Sequence, residues 1–451
     1  MRVLVPINDE MVKEGFAEVA HVPFLLDRDG RYLDEVNRYI RERALLEWFP
    51  ENAFPAGHAS MRRGGLSYPT VTSLRTLADR LKNFLEWCSA RELDWRCLEY
   101  TKHMVNRYQT EMLSGKWSFS GKELHGSTIN RRTDEAILLV AWAEQAGLRP
   151  AAAPPFAVPR ASRWLRRRSA GNSSHFGRTS VDTRAGRVNA IPRLFSLPSP
   201  SEVAIWIQRV GLLRGPVKRL CCELILATGI RIEECVQWEV DTLPKERKDW
   251  KIRGQIVRVL IRAGTKGHRN TPSDIYGPPR WISVPLELAE RLHCYLQEVR
   301  RSQLARWIRA GKTSHERARR RHAAPPNRLF LGEVSNRPFT ARMLRRAWSD
   351  TPGCPDSWSP HKGRHYFACH KLIELTTRRA IAASQRLDRL NSDWLTGMLT
   401  NDIQMVIRPL LGHVSEETTR HYIQCVSDWF ESQTETGSLH WQDYLEGSGG
   451  A

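Results

Sequence analysis

The chain has 451 residues, a formal net charge of +20 at pH 7 and a hydrophobic content of 41%. This length predicts two or three domains, and the apolar content is high enough for packed cores, which argues against a disordered chain. The longest apolar run, 136–143, is too short to cross a bilayer, and the first ten residues lack the apolar core of a signal peptide. Membrane and secreted proteins are therefore disfavoured, and a cytoplasmic protein is expected.

The positive charge is concentrated in two segments. Residues 149–195 contain ten arginines and one acidic residue, and residues 300–328 contain nine arginines, one lysine and one acidic residue, so each segment carries +9. Arginines concentrated in this way favour a polyanion bound at defined places. The alternative is that both segments are solvated loops without a partner.

The pattern of apolar and polar residues divides the chain into five parts. Residues 1–66 form an N-terminal extension of unknown role, and residues 67–148 form a small helical bundle. Residues 149–195, rich in Pro, Ala, Ser and Arg, indicate a basic linker. Residues 196–432 form a larger domain, and residues 433–451 form a C-terminal tail.

Local signals predict the elements within these parts. A helix starting at 70–73 has a helical apolar stripe, and a second helix starts at 127–130. The β-branched run 256–261 predicts a strand, with 281–284 as its hairpin partner. The predicted fold class is mainly α with a small antiparallel β-sheet (α+β). Nine scattered cysteines without a CxxC motif fit reduced thiols, and a structural zinc site is not expected.

Two short segments carry candidate basic groups. In 227–234 (ATGIRIEE), Thr228 or Gly229 can cap a helix, which places Arg231 in its first turn and Glu234 on the same face. The alternative is a surface helix with an intrahelical ion pair. In 262–269 (RAGTKGHR), flanking glycines leave Lys266 on an exposed turn, where it can donate a proton or bind a phosphate, or be an ordinary hairpin lysine.

A third segment, 359–367 (SPHKGRHYF), begins with Ser at the N-cap and Pro at N1. His361 then lies in the first turn of a helix, with Arg364 one turn further on the same face. Cations at a helix N-terminus oppose the helix dipole and are explained by a bound anion. The alternative is a basic cap that faces solvent.

The fourth segment, 410–422, contains a turn at Gly412-His413 and then a helix that carries Tyr422. A tyrosine is a poor nucleophile unless neighbouring cations lower its pKa or orient it. The alternative is a tyrosine that is half buried for packing.

Taken in order, Arg, Lys, His-x-x-Arg, His and Tyr resemble the tyrosine recombinase (phage integrase) family. The resemblance covers roughly 67–432, and its most specific part is the fourth segment. It implies that 67–148 is a helical core-binding, DNA-binding domain and that 196–432 is a mixed α/β catalytic domain.

The resemblance also implies a role for each motif residue. Tyr422 would attack a DNA phosphodiester and form a 3′-phosphotyrosine. Arg231 and Arg364 would bind the non-bridging oxygens, because bidentate guanidinium groups suit phosphate. Lys266 would protonate the leaving 5′-oxygen.

The remaining motif residues would assist that chemistry. His361 would serve as general acid/base, His413 would hydrogen-bond the phosphate, and Glu234 would orient its neighbours. Two arginines and a lysine would supply the positive charge that a metal ion supplies elsewhere, so no metal, cofactor or ATP is expected.

The expected function is therefore a site-specific DNA recombinase, the integrase or transposase of a mobile element in a bacterial cytosol or nucleoid. The expected partner is double-stranded DNA, bound by a homotetramer on two duplexes, with no membrane and no small-molecule substrate. Residues 426–446 would either dock on a neighbouring protomer or pack on their own domain. The arginines expected to contact DNA are Arg163, Arg166, Arg167, Arg168, Arg319, Arg320 and Arg321.

Four features depart from the family pattern. Gly363 replaces an apolar residue and is expected to weaken packing of its helix turn. The stretch from 365 to 413 is long and includes a polar run at 378–394. The hairpin after Lys266 is also long, which leaves Lys251 as a second candidate for the acid, and 1–66 has no counterpart.

Two other functions fit the same residues. One is a DNA-binding protein that has lost catalysis, against which the complete Tyr, Arg, Arg set argues. The other is a type IB topoisomerase-like enzyme or a telomere resolvase with the same chemistry.

Overall fold

The structure is a computed structural model. It describes residues 1–5, 9–49, 67–150, 156–157, 183–189, 197–267, 269, 271, 274–322, 327–333, 336–382, 392–412, 422–423 and 425–426. The expected fold class is confirmed, because most of the described elements are helices and the strands form small antiparallel sheets. No helix in these ranges combines the length and apolar character needed to cross a membrane.

The chain divides into two compact units. The first comprises Met1–Arg193 and His268–Ile275, and the second comprises Leu194–Gly267 and Tyr276–Ala451. The division of the chain by role, made from the sequence, stays a prediction.

The first unit is mainly helical. Its elements are, in chain order, β1 (Arg2–Leu4), α1 (Asp9–Lys13), β2 (Phe24–Leu26), α2 (Asp34–Leu45), α3 (Val71–Ala90), a 3₁₀ turn (Trp95–Cys97), a π-helical segment (Tyr100–Gln109) that continues into α4 (Thr110–Leu113), α5 (Gly126–Gln145), β3 (Phe156–Ala157) and β4 (Thr183–Arg184). The predicted start of α3 is confirmed, because the side chain of Thr70 caps it by accepting from the Ser73 amide at 3.1 Å.

The N-terminal extension shares its core with the helical bundle. Tyr39 of α2 lies in one hydrophobic cluster with Phe84 of α3 and Trp142 of α5. Its hydroxyl donates to the buried Glu135 carboxylate at 3.0 Å. Residues of the extension are therefore part of the first unit's packed interior.

One arginine of the predicted linker also belongs to that interior. Arg184 of β4 is buried, and its Nε donates to the Asp134 carboxylate at 2.6 Å. Its Nη2 donates to Gln109 and Asn130. The charge of Arg184 is therefore used within the fold and does not serve a polyanion.

The second unit combines helices with a three-stranded sheet. Its elements are, in chain order, α6 (Pro200–Arg214), α7 (Pro216–Thr228), α8 (Ile232–Val236), a 3₁₀ turn (Arg247–Asp249), β5 (Lys251–Arg253), β6 (Ile256–Ile261), β7 (Arg280–Pro285), α9 (Leu286–Cys294), a π-helical turn (Tyr295–Val299), α10 (Arg300–Arg309), α11 (Ser314–His322), α12 (Ala341–Ser349), α13 (Pro360–Ala382), α14 (Ser392–Asp402), a π-helical turn (Ile403–Ile407) and α15 (Arg408–Leu411).

The predicted hairpin is confirmed. Strands β6 and β7 pair antiparallel, with Val257 opposite Val284 and Val259 opposite Ile282. These four side chains are buried, so alternate residues of each strand form the face that packs into the core. Strand β5 extends the sheet on the other side of β6.

The basic segment 300–328 is largely helical, which argues against the alternative that it is a solvated loop. Its first arginine, Arg300, is buried and donates to the carbonyl of Leu329 at 3.1 Å. Arg320 of α11 donates to the carbonyl of Trp307 at 2.7 Å, and this contact holds α11 against α10. Arg320 also pairs with Glu316 within α11. Part of this charge is thus structural, whereas Arg319 and Arg321 are exposed.

Candidate active site

The candidate site of the second unit begins at the junction of α7 and α8. Gly229 ends α7 with φ of 64°, a left-handed conformation that glycine adopts without strain. Arg231 is the N-cap of α8, not a residue of its first turn as the sequence suggested, because the chain needs 229–230 to leave the previous helix. Its guanidinium is largely buried, with 17% of the side chain exposed.

Glu234 is a fully buried carboxylate between two arginines. Its Oε1 accepts from Arg231 Nη1 and Arg280 Nε, both at 3.0 Å. Its Oε2 accepts from the Arg231 backbone amide and from Arg280 Nη2, both at 2.6 Å. Burial alone would raise the pKa of Glu234, but the hydrogen bonds and charges of Arg280 and Arg231 lower it below the ordinary carboxyl value.

Arg280, the first residue of β7, was missed by sequence reasoning. It forms a bidentate pair with Glu234 across 46 residues of sequence, and its side chain is 10% exposed. The one signal in the sequence was an arginine next to a predicted strand, where an unpaired charge would be costly. Only the pairing of β7 with β6 places it beside α8.

Three arginines converge on three consecutive backbone carbonyls at the end of α15. Arg280 donates to the carbonyl of Leu410, Arg364 to that of Leu411, and Arg231 to that of Gly412. Carbonyls at a helix C-terminus lack intrahelical partners and carry the negative end of the helix dipole. The arginines thus cap this helix end.

Arg364 is the most deeply buried of these three arginines, with 5% of the residue exposed. Its Nη1 also donates to the carbonyl of Gly229 at 2.7 Å. Burial, together with the charges of Arg231 and Arg280, lowers the pKa of Arg364 to about 9. A concentration of buried positive charge of this kind is suited to an anion.

The start of α13, which carries His361 and Arg364, forms as the sequence predicts. Ser359 Oγ accepts from the Lys362 amide at 3.3 Å, and Pro360 is the first helical residue. The expected weakening at Gly363 is wrong. A Cβ at this position would lie 2.6 Å from the Trp348 ring, so glycine is what allows α12 to pack so closely against α13.

Tyr422 lies in the same cluster. It is 1% exposed, and its hydroxyl is 2.7 Å from Nδ1 of His365. Nε2 of His365 is in turn 3.0 Å from Nε2 of His361. Burial and Cys369 raise the pKa of Tyr422, whereas the charges of Arg364 and Arg231 oppose that rise.

His365 is a second residue that the sequence reasoning did not select. It follows Arg364 directly and lies four residues after His361, so both imidazoles occupy one face of α13. That i, i+4 spacing was the signal that could have identified it.

His361 and Lys266 are both exposed. The pKa of His361 is lowered, mainly because its ring is partly buried and to a smaller extent because of the positive charges of Arg364, Lys266 and Arg231. The turn that presents Lys266 is closed by Thr265, whose Oγ1 donates to the carbonyl of Gly277 at 2.6 Å. Lys251 instead lies on β5, with its ammonium 4.6 Å from the centroid of the Trp281 ring.

Some predicted residues lie outside the described ranges. They are His413, Arg163, Arg166, Arg167 and Arg168, together with 427–451 of the tail. The polar run at 378–394 is described in part, and its first five residues complete α13. Among the described residues, no group of three or more His, Cys, Asp or Glu side chains is arranged to hold a metal ion.

No sequence profile of a protein family matches the chain, and no curated protein matches it. Solved structures of tyrosine recombinases do match. The XerH site-specific recombinase bound to palindromic difH substrate, in its post-cleavage complex, is 15% identical, covers 80% of this chain and 78% of its own, and has a TM-score of 0.44. The lambda integrase dimer bound to a COC′ core site is 11% identical, covers 90% of this chain and 97% of its own, and has a TM-score of 0.42. The Tn1549 transposon integrase in complex with circular intermediate DNA is 15% identical, covers 80% of this chain and 91% of its own, and has a TM-score of 0.42.

Proposed function

We propose that the chain is a site-specific DNA recombinase, the integrase or transposase of a mobile element, that acts through a 3′-phosphotyrosine intermediate. The observation that carries the proposal is the position of the Tyr422 hydroxyl. His365 links the phenol to His361 through contacts of 2.7 Å and 3.0 Å, and the positive charges of Arg364 and Arg231 oppose the rise in the pKa of Tyr422. A tyrosine buried only for packing needs neither the cations nor the two imidazoles.

In the proposed reaction, the Tyr422 oxygen attacks the scissile phosphorus. The O–H bond of the tyrosine breaks, the phosphotyrosine bond forms, and the 5′-oxygen of the next nucleotide leaves. Religation reverses these steps with a 5′-hydroxyl from another strand. Because the number of phosphodiester-type bonds is unchanged, strand exchange needs no ATP.

The arginines supply the electrostatic part of catalysis. Negative charge grows on the non-bridging oxygens as phosphorus becomes pentacovalent, and fixed cations stabilise that charge without reorganising. Arg231 and Arg364 are held in place by backbone carbonyls and, for Arg231, by Glu234. Glu234 is a positioning residue in this scheme, since it contacts the guanidinium groups and not the phosphate.

Lys266 is the proposed acid for the leaving 5′-oxygen. It is exposed on its turn, and its positive charge helps to lower the pKa of His361, which supports this role. His361 is the proposed general acid/base. A phosphate contact by His413 stays a prediction from the resemblance.

The proposed partner is double-stranded DNA, with a homotetramer assembled on two duplexes. The exposed Arg319 and Arg321 of α11 and the arginines at 166–168 are the proposed backbone contacts, because sequence-independent phosphate contacts dominate DNA affinity.

A suicide-substrate assay tests the proposal. The wild-type chain first selects duplexes from a random-sequence pool, and a nicked version of the selected duplex is then incubated with it in EDTA without ATP. We expect a covalent protein–DNA adduct on a denaturing gel, and no adduct with Tyr422→Phe.

The possible results separate the candidate functions. If the wild-type chain forms no adduct with the duplex that it selected, the remaining function is a DNA-binding protein without catalysis. An adduct that persists in Tyr422→Phe would remove the nucleophile assignment. Joint molecules between two duplexes indicate recombination, whereas relaxation of supercoiled DNA without them indicates a topoisomerase-like enzyme.

A further inference from the structure

The Tyr422 hydroxyl has an imidazole partner within the fold, and this contact suggests a route for its proton. The 2.7 Å separation between Tyr422 Oη and His365 Nδ1 is that of a well-formed hydrogen bond. The two rings lie 5.4 Å apart between centroids, so the contact is supported by packing. His365 thus touches the atom that would become the nucleophile.

The contact continues to a second imidazole. His361 and His365 are four residues apart on α13, their ring centroids are 4.3 Å apart, and their Nε2 atoms are separated by 3.0 Å. Two nitrogens at this distance share one proton, because one must donate and the other accept.

The chemistry of the three groups fixes the direction of donation. A phenol is a stronger acid than a neutral imidazole N–H, so Tyr422 donates to Nδ1 of His365. His365 then carries its proton on Nε2 and donates it to Nε2 of His361. His361 is exposed, so it is the member of the chain that can exchange protons with solvent.

We propose that His365 is a catalytic residue that relays the proton of Tyr422 to His361 during attack on the phosphodiester. This rests on the proposed function. As the Tyr422 oxygen bonds to phosphorus, its proton moves to Nδ1 of His365, and the Nε2 proton of His365 moves to Nε2 of His361. His365 ends neutral with its proton on Nδ1, and His361 becomes an imidazolium that releases a proton to solvent.

Two properties of the site favour a relay. Tyr422 is almost entirely buried, which favours a proton acceptor within the fold over bulk water. Burial also raises the pKa of Tyr422, so that the phenol stays protonated until a base accepts its proton. His361 has a lowered pKa through partial burial and the charges of Arg364, Lys266 and Arg231, which keeps it neutral and able to accept.

The test measures single-turnover cleavage of the selected suicide duplex by His365→Ala and His365→Asn. The Asn side chain keeps a hydrogen-bond acceptor near the position of Nδ1 but cannot relay a proton. We expect both variants to bind the duplex like the wild type and to cleave about 100-fold or more slowly. Added imidazole should restore part of the rate to His365→Ala, since it can occupy the space of the missing ring.

A second substrate separates this role from that of the acid. With a bridging 5′-phosphorothiolate, the leaving sulfur needs no proton, so a Lys266→Ala variant should recover its rate while the His365 variants stay slow. His370→Asn is the matched control, because His370 lies on the same helix but packs its ring against Tyr366, at 4.0 Å between ring centroids. It should cleave like the wild type.

Cleavage by His365→Ala within about threefold of the wild-type rate would overturn the relay, since a lost proton relay costs far more than that. So would a slow His365→Ala that imidazole does not accelerate, or slow His365 variants that the phosphorothiolate restores. If the wild type itself forms no adduct, the proposed function is wrong, and the relay that rests on it fails with it. Thermal unfolding of each variant confirms that it is folded at the assay temperature.

Discussion

The buried carboxylate of Glu234 allows a sharp prediction about stability. In Glu234→Gln, one acceptor oxygen becomes an NH₂ group, which cannot accept from an arginine. Each oxygen accepts two hydrogen bonds, from Arg231 and from Arg280, so either orientation of the amide loses two of the four. Hydrogen bonds to charged groups contribute about 1.5 to 3 kcal/mol each, which gives a loss of about 3 to 6 kcal/mol.

An independent argument gives a similar value. Removing one partner of a buried ion pair leaves uncompensated charge and typically costs about 3 to 5 kcal/mol. Here the remaining charges are those of Arg231 and Arg280, with Arg364 nearby. We therefore expect Glu234→Gln to lower the free energy of unfolding of the second unit by about 3 to 5 kcal/mol.

Equilibrium urea unfolding measures this change, and Glu223→Gln is the matched control. Glu223 is also a buried carboxylate of the second unit with two arginine partners, Arg219 and Arg291, but it lies outside the candidate site. Both variants should be destabilised, and only Glu234→Gln should also slow DNA cleavage at a temperature where both are folded. A loss below about 1 kcal/mol in Glu234→Gln would refute the view that its carboxylate balances the arginines.

The pH dependence follows from the lowered pKa of Glu234. The folded state binds this proton less readily than the unfolded state, so the carboxylate contributes its full stability above the ordinary carboxyl pKa. That contribution is lost as the pH falls through the lower, folded-state pKa. The difference between wild type and Glu234→Gln should therefore be largest at neutral pH and shrink in acid.

Three further predictions follow from single features. Gly363→Ala should lower the free energy of unfolding by about 1 to 3 kcal/mol, because the new methyl group would overlap Trp348. The control Gly397→Ala should not destabilise the protein, because no atom lies within 4 Å of the added Cβ. Equal effects of the two substitutions in urea unfolding would contradict this. Arg280→Ala should slow suicide-substrate cleavage by about 100-fold with little change in DNA affinity, because Glu234 and the end of α15 lose a partner. A parallel drop in DNA affinity would instead indicate that Arg280 contacts DNA. Neutralising the arginines at 166–168 should flatten the salt dependence of DNA binding by about 0.9 in log–log slope for each phosphate that is no longer neutralised, and an unchanged slope would indicate a solvated loop.

The sequence by itself determined the elements whose causes are local. Thr70 predicts the start of α3 and Ser359-Pro360 that of α13, because a cap depends on residues within one turn. The β-branched, largely apolar run 256–261 predicts strand β6, because such side chains favour the extended backbone. Each of these is decided by neighbours along the chain.

The tertiary structure alone decided which charges meet. Arg280 reaches Glu234 only through the pairing of β7 with β6, and Arg364 reaches the carbonyls of Gly229 and Leu411 only through the packing of α13. Arginine is long and makes several hydrogen bonds, so its position in the sequence does not reveal its partners. For the same reason, the arginine-rich segments look alike in the sequence, although some of their members hold the fold together and others are exposed.

The candidate site shows the same division. Its motif residues could be named from the sequence only through their resemblance to the tyrosine recombinase motifs, and their roles stay predictions. That Tyr422 would be buried and linked through His365 to His361 required the fold, because a hydrogen bond across 57 residues depends on how two helical segments are placed in space.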